Sequence, residues 1–185
     1  MASPVTLYLI RHGRASAGFA EALDPGLDEV GRMQAETVTK ELAPLGPLRI
    51  ITSPQRRARE TAVPLATLWG VQVRIEQAVA EIPTPTLDLQ ARSVWLHQAL
   101  RGRWSQLPSV YQHWREQIAA ALIALGTSTV VTTHFVAINA AVSVATGDDR
   151  MLCCEPDHCS CTVLAIVDGK LRLVALGRQR PTQLR

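Results

Sequence analysis

The chain has 185 residues, is 47% hydrophobic and 4% aromatic, and carries 19 Lys+Arg against 16 Asp+Glu for a formal net charge of +3. That apolar content excludes overall disorder, and the length fits one domain of about 100–200 residues. A charge of +3 is too weak to indicate a nucleic-acid surface, yet the basic residues are skewed to 17 Arg, with only Lys40 and Lys170 as lysine. Codon bias accounts for most of such a skew, so the informative arginines are those placed where an anion would sit.

Residues 5–10 (VTLYLI) read as a short buried strand, followed at once by Arg11-His12-Gly13-Arg14. Asp28 is placed to cap a helix over 29–42 with Val30, Met33, Val38 and Leu42 on its apolar face, stopped by Pro44, Gly46 and Pro47. A second strand spans 49–52. Ser53-Pro54 then has the pattern of an N-cap followed by proline at the first helical position. The helix it would open runs through Arg57, Thr61 and Leu65 to Trp69, with Pro64 as a point of kinking or shortening. A third strand is expected at 72–75.

The stretch 82–108 is punctuated by Pro83, Pro85, Gly102 and Pro108, and reads as an insertion around a helix at about 87–100. Trp95, Trp104 and Trp114 are expected to form a satellite core beneath it. A helix at 109–125 would turn Val110, Trp114, Ala121, Leu122 and Leu125 to one face, and the strand 129–133 leads directly into His134. An apolar helix over 137–146 ends at Gly147, and strands 161–167 and 171–176 flank the hairpin signal Asp168-Gly169. His97, His113 and His158 have no matched context and read as ordinary helix or loop residues; Arg101 and Arg103 read as solvated.

No apolar run approaches the ~18 residues that span a bilayer, and no basic segment precedes the first apolar run. The expectation is a soluble cytoplasmic protein with no membrane partner. Cys153, Cys154, Cys159 and Cys161 cluster around His158 but lack paired C-x-x-C spacing. Buried free thiols are favoured over a zinc knot or a disulfide, with Cys159 and Cys161 sharing one face.

Strands alternating with helices predict a three-layer α/β/α fold with a mainly parallel mixed sheet, at least one strand antiparallel, in a single domain over 1–185. In open sheets of this kind ligands bind beyond the carboxyl ends of the strands. That rule selects Arg11-His12, Ser53 to Arg57, and His134. If these ends converge, two guanidiniums and one imidazolium balance a phosphate dianion, and the fork of arginine matches phosphoryl oxygens. A neutral imidazole is a competent nucleophile toward phosphorus, and a second, protonated one can stabilise the equatorial oxygens. There is no Walker-type glycine loop and no evident pair of magnesium carboxylates. The chemistry needs no metal and no cofactor.

The run Leu9-Ile10-Arg11-His12-Gly13 resembles the strand-plus-RHG signature of the histidine phosphatase (phosphoglycerate-mutase-like) superfamily. Ser53 to Ala62 is similar to its S-P-x-x-R-A-x-x-T-A element, and Val131-Thr132-Thr133-His134 to its second histidine at a strand end. Asp24 to Leu27 with Gly31 and Gln34-Ala35, Ala80-Glu81-Ile82, and Cys159 to Leu164 match further segments in order. The resemblance implies that His12 carries a transient phosphohistidine, that Arg11, Arg57 and His134 form the phosphate pocket, and that Glu81 is the general acid, with a pKa raised near bound phosphate. The insertion 82–108 is expected to cover the site in part, as a lid.

Two departures stand out: Phe135-Val136 follows the second histidine where Gly-Gly is common, and Arg14-Ala15-Ser16 follows RHG, making Arg14 and Ser16 candidate replacements for a lost phosphate contact. The implied activity is phosphomonoester hydrolysis on a small phosphorylated substrate, with oligomeric state left open. Alternatives are a phosphomutase of the same superfamily, a phosphohistidine protein phosphatase, or a non-catalytic phosphate-binding module.

Overall fold

The computed structural model describes residues 4–180. Strand β1 (Val5–Arg11) alternates strictly: Leu7 and Leu9 enter one apolar cluster, Ile10 and half-buried Tyr8 the other. The same alternation separates Ile51 from Ile50 in β2 (Arg49–Thr52) and Val131 from Val130 in β4 (Thr129–Thr133). Such double-sided burial is what a sheet covered by helices on both faces requires.

The sheet runs β3-β2-β4-β1-β5-β6, with β3 as Val73–Ile75, β5 as Cys161–Val167 and β6 as Lys170–Ala175. The pairs β3–β2, β2–β4 and β4–β1 are parallel; β1–β5 and β5–β6 are antiparallel. Asp168 (φ 50°) and Gly169 (φ 69°) make the left-handed turn that closes the final hairpin.

Helices α1 (Glu29–Leu42) and α2 (Arg56–Trp69) cover one face. Helices α3 (Leu89–Ala99), α4 (Ser109–Ile123) and α5 (Phe135–Thr146) cover the other. Asp28 caps α1 by accepting from the Gly31 amide, as its sequence position predicts. In α5 every residue from Phe135 to Ser143 is buried, so no polar face marks its register.

Several expectations are corrected. Met33 is 53% exposed, and α1 buries Ala35, Val38 and Leu42. Val110 is exposed, and α4 turns Tyr111, Ile118, Ala119 and Leu122 inward, a rotated face that also closes against α5. Ser53-Pro54 does not cap α2: Gln55 holds the N-cap position without a side-chain bond, because the Ser53 hydroxyl is committed elsewhere. Pro64 lies within α2, which continues to a left-handed Gly70. Trp104 is fully buried in the larger core cluster, with Trp114 stacked at 6.0 Å and Trp95 against Tyr111 at 4.9 Å. These tryptophans thus belong to the main core. No helix among the described residues is long and apolar enough to cross a membrane.

Candidate active site

The parallel register between β1 and β4 pairs Arg11 with Thr133, so His12 and His134 emerge side by side from adjacent strands. The ladder continues one step past the strand: the His12 amide donates to Thr133 O at 2.9 Å. The two imidazoles stand edge to face, with centroids 5.2 Å apart. The Gly13 amide donates to Thr61 Oγ1 (3.0 Å), and Thr61 in turn donates to Arg57 O (2.7 Å), which ties the first turns of α2 to the β1 end. Gly13 has no room for a side chain, since a Cβ there would lie 2.5 Å from Gly31 O. A Cβ on Gly31 would meet the Arg14 carbonyl in the same way.

His12 Nδ1 lies 2.7 Å from Gly13 O, and Arg57 Nε lies 3.1 Å from His12 Nε2. A carbonyl only accepts and a guanidinium only donates, so Nδ1 carries the proton and Nε2 keeps its lone pair. His134 is wholly buried behind the wall. Its Nε2 lies 2.6 Å from Ser53 Oγ and 3.1 Å from Gln55 Oε1, and Ser53 also donates to Gln55 Oε1. His134 Nδ1 has no hydrogen-bond partner among the described residues, and faces Glu81 Oε2 at 4.0 Å.

Glu81 reaches this position because Thr133 Oγ1 donates to Val79 O (2.7 Å), stitching the turn before Glu81 onto β4. Its Oε1 accepts from the Ile82 amide at 3.0 Å. Arg11 donates through Nη1 to Pro156 O (2.8 Å) and lies over the Phe135 ring at 5.0 Å.

Burial drives the electrostatics. It pulls both histidines well below the ordinary imidazole value, reinforced by Arg57 and Arg11. The rings are therefore neutral at neutral pH. Burial lowers Arg11 to about 10, against the opposing pull of Glu81. Burial raises the Glu81 carboxyl, against the Ile82 amide, Arg57 and Arg11. A cleft of about 890 Å³ opens over these groups, with Arg11, His12, Arg57 and Glu81 in its wall.

A family model for the histidine phosphatase superfamily (branch 1) matches residues 7–179. The chain belongs to that superfamily. Among curated relatives, a glucosyl-3-phosphoglycerate phosphatase of Mycobacterium tuberculosis is 35% identical over 79 residues, covering 40% of this chain and 35% of that protein. The matched part thus spans about a third of the length of such relatives. A solved mycobacterial glucosyl-3-phosphoglycerate phosphatase superposes with a TM-score of 0.71 at 22% identity, covering 96% of this chain and 100% of that one. A phosphoserine phosphatase of Entamoeba histolytica, in complex with 3-phosphoglyceric acid, gives 0.75 at 19% identity, with 95% and 98% covered.

The structure brings Arg11, His12, Arg57, Glu81 and His134 close together, the first four in the cleft wall and His134 buried behind it. Of the three arginines near the start of α2, only Arg57 is buried; Arg56 pairs with Glu60, and Arg59 is exposed. Arg14 and Ser16 both line the cleft. The Arg14 guanidinium is bound to Asp28 at 2.6 Å, and Ser16 is held through its amide on Gly26 O at 2.9 Å.

Two cleft residues escape sequence reasoning. His158, read as ordinary, has its ring 6.0 Å from His12 and a pKa lowered to about 4, first by burial. The available signal was topological: β5 runs antiparallel to β1, pairing Cys161 with Ile10, so the residues before β5 arrive at the β1 carboxyl end. Arg92 is 7% exposed and lines the cleft from α3. Its spacing of four from Leu96 places it on the inward face.

The four cysteines are free. Cys153 and Cys154 pack with the α5 cluster, Cys159 and Cys161 with the α1–α2 cluster, so the two pairs lie on opposite sides of the sheet. Burial raises Cys153 to about 11 and the other thiols to about 12.

Proposed function

We propose that the chain is a metal-independent phosphomonoesterase that works through a phosphohistidine on His12. The observation that carries this reading is the fixed tautomer of His12, with Nδ1–H on Gly13 O and the Nε2 lone pair beside the Arg57 guanidinium. A phosphoryl group drawn to Arg57 and Arg11 meets that lone pair directly. Nε2 attacks phosphorus, and the bond to the ester oxygen breaks. Glu81, whose carboxyl burial shifts toward the protonated form, gives a proton to the departing alkoxide. The resulting carboxylate then takes a proton from water as the water attacks the phosphohistidine. Inorganic phosphate leaves, and Glu81 regains its proton.

His134 enters neutral, but a phosphate dianion offsets the two arginines that depress its pKa. Protonated, it places a third cationic group beside the transferring phosphoryl group. Arginine and imidazolium charge thereby supplies what a metal would otherwise supply.

The names of the relatives, phosphatases of glucosyl-3-phosphoglycerate and phosphoserine, support a small phosphorylated substrate. The segment 82–108, which contributes Arg92 and Leu96 to the cleft wall, is read as a lid on a single domain over 1–185. Four free, buried or half-buried thiols support a cytoplasmic setting. Arg14 and Ser16 are assigned to the rim, as secondary contacts to substrate.

The test is phosphate release from p-nitrophenyl phosphate in EDTA, comparing wild type with His12→Ala. Release only by the wild type supports the reading, and equal release by both removes His12 from the nucleophile role. Transfer of phosphate between two hydroxyls in excess of hydrolysis would replace the hydrolase with a mutase.

A further inference from the structure

The hydrogen on His134 is placed by a hydroxyl whose bonding capacity is full. Ser53 Oγ meets three groups: the Gln55 main-chain nitrogen at 3.3 Å, His134 Nε2 at 2.6 Å, and Gln55 Oε1. A hydroxyl has one hydrogen and two accepting lone pairs. The side-chain carbonyl of Gln55 only accepts, so it takes the hydroxyl hydrogen. The Gln55 main-chain N–H occupies one lone pair, and an N–H at His134 Nε2 occupies the other. Gln55 Oε1 lies 3.1 Å from the same Nε2 and accepts from it too. His134 therefore carries its ring hydrogen on Nε2, the reverse of His12. A lone pair is left on Nδ1, which is buried, has no hydrogen-bond partner among the described residues, and faces Glu81 Oε2 at 4.0 Å. Glu81 lines the cleft, so this is the edge of the ring turned toward a bound phosphate. A bare lone pair there repels phosphate oxygens, whereas an N–H donates to them.

We propose that Gln55, acting through the Ser53 hydroxyl, is a positioning residue that locks His134 in its Nε2–H form, so that the site binds phosphate together with one proton taken up at Nδ1. This rests on the reading of the His12 end as the phosphate site. Gln55 stands at an unspecified position of the S-P-x-x-R-A element, so that element does not itself supply the carbonyl on which the lock depends. The groups around His134 fit the coupling. Arg57 from α2 and Arg11 from β1 disfavour its cation before phosphate arrives, His12 stands neutral beside it, and Glu81 faces Nδ1. Phosphate offsets the two guanidiniums, and one of its oxygens accepts from the new Nδ1–H. The balance is simple: phosphate dianion, neutral imidazole and one solvent proton become dianion held by imidazolium. Without the Gln55 carbonyl the Ser53 hydroxyl can turn and donate to Nε2. The ring hydrogen then moves to Nδ1, and neutral His134 donates to phosphate with no proton taken up.

The experiment uses the full chain with inorganic phosphate, so that it reads binding and not turnover. Nitrogen-15 shifts of the His134 ring, assigned against His134→Gln, should show a protonated Nε2 and a bare Nδ1 in the free protein at about pH 8. Saturating phosphate should protonate Nδ1 as well. Calorimetry in buffers of different ionisation enthalpy should give about one proton taken up per phosphate, with affinity falling about tenfold per pH unit above neutrality. Glu81→Gln should keep that uptake, which separates His134 from the carboxyl. Gln55→Leu should move the ring hydrogen to Nδ1, cut the uptake to less than about half a proton, and flatten the pH dependence. If Gln55→Leu fails to fold, the ring shifts and proton count of the wild type decide. A free wild-type ring with its hydrogen on Nδ1 would overturn the lock. So would uptake that vanishes in Glu81→Gln or persists in full in Gln55→Leu. Failure of the phosphatase reading shows separately, as phosphate that does not bind, or that binds Arg57→Ala as tightly as wild type; the proton coupling falls with it.

Discussion

The floor of the cleft and its rim are built by different means. On the floor, Arg11, His12 and His134 are main-chain continuations of β1 and β4, and Arg57 is tied to them through Thr61; each is at most 8% exposed. On the rim, Arg14, Ser16, Arg92 and His158 come from loops and from α3; Arg14 is held by Asp28, Arg92 lies over Phe19, and Ser16 is held only through its amide on Gly26 O. The floor inherits its geometry from a hydrogen-bonded ladder that cannot slip by one residue without turning every side chain over. The rim has no such ladder and is free to differ. On the proposed function, chemistry is thus fixed by the sheet, and selectivity is left to what surrounds it.

That contrast makes graded predictions. The largest effect belongs to the proposed nucleophile: His12→Ala should lower kcat/KM at least about 1,000-fold. Rapid acid-free quenching with labelled substrate should recover a phosphoprotein from wild type and none from the variant. Arg57→Ala follows, with a loss of about 100- to 1,000-fold in kcat measured under saturating substrate. Glu81→Gln should cost about 100-fold in turnover of an ester with a poor leaving group. It should also raise Tm at pH 7.5. The folded-state pKa of Glu81 lies above its unfolded value, so ionisation at that pH opposes folding, and glutamine removes the charge.

The histidines give a pH signature of opposite sign. His12 and His134 are held below the unfolded value of 6.5, so above that pH their contribution to stability is complete. As pH falls from 6.5 toward their depressed values, the unfolded chain takes up protons that the folded chain refuses. Tm should fall in that window, and saturating phosphate should reduce the fall. The smallest effect belongs to the rim: Arg14→Ala should change kcat/KM by less than about threefold, since its charge is exposed and already paired with Asp28. A thousandfold loss from Arg14→Ala would erase the division between floor and rim.

The same division governs what could be read in the sequence. Strand-end residues were legible because β1, β2 and β4 are short apolar runs that stop abruptly at Arg11, Thr52 and Thr133. A charged group at such a stop has one plausible environment in an open parallel sheet. Asp28 was legible for a similar reason, as a cap before a periodic segment. His158 was not, because its approach depends on β5 running antiparallel, a pairing that no local pattern encodes. Arg92 was hidden by its own chemistry: an arginine on a helix normally marks the solvent face, and here it marks the buried one. The inward faces of α1 and α4 were misjudged at Met33 and Val110, where exposed apolar residues imitate a core stripe. Ser53 had the correct residue type for a cap, but His134 claims its hydroxyl.

The back-to-back glycines beside His12 carry a different kind of consequence. Gly13 and Gly31 come from separate segments, and a methyl group on either would collide with the other segment's backbone carbonyl. No rotamer change elsewhere can make space for it, because the obstacle on each side is main chain. The two positions therefore behave as a single joint constraint on sequence drift. In a saturation library, neither site should tolerate alanine alone, and alanine at both should not rescue either one. The turn after β1 is thus constrained at Gly13 by the start of α1, through main-chain contact alone.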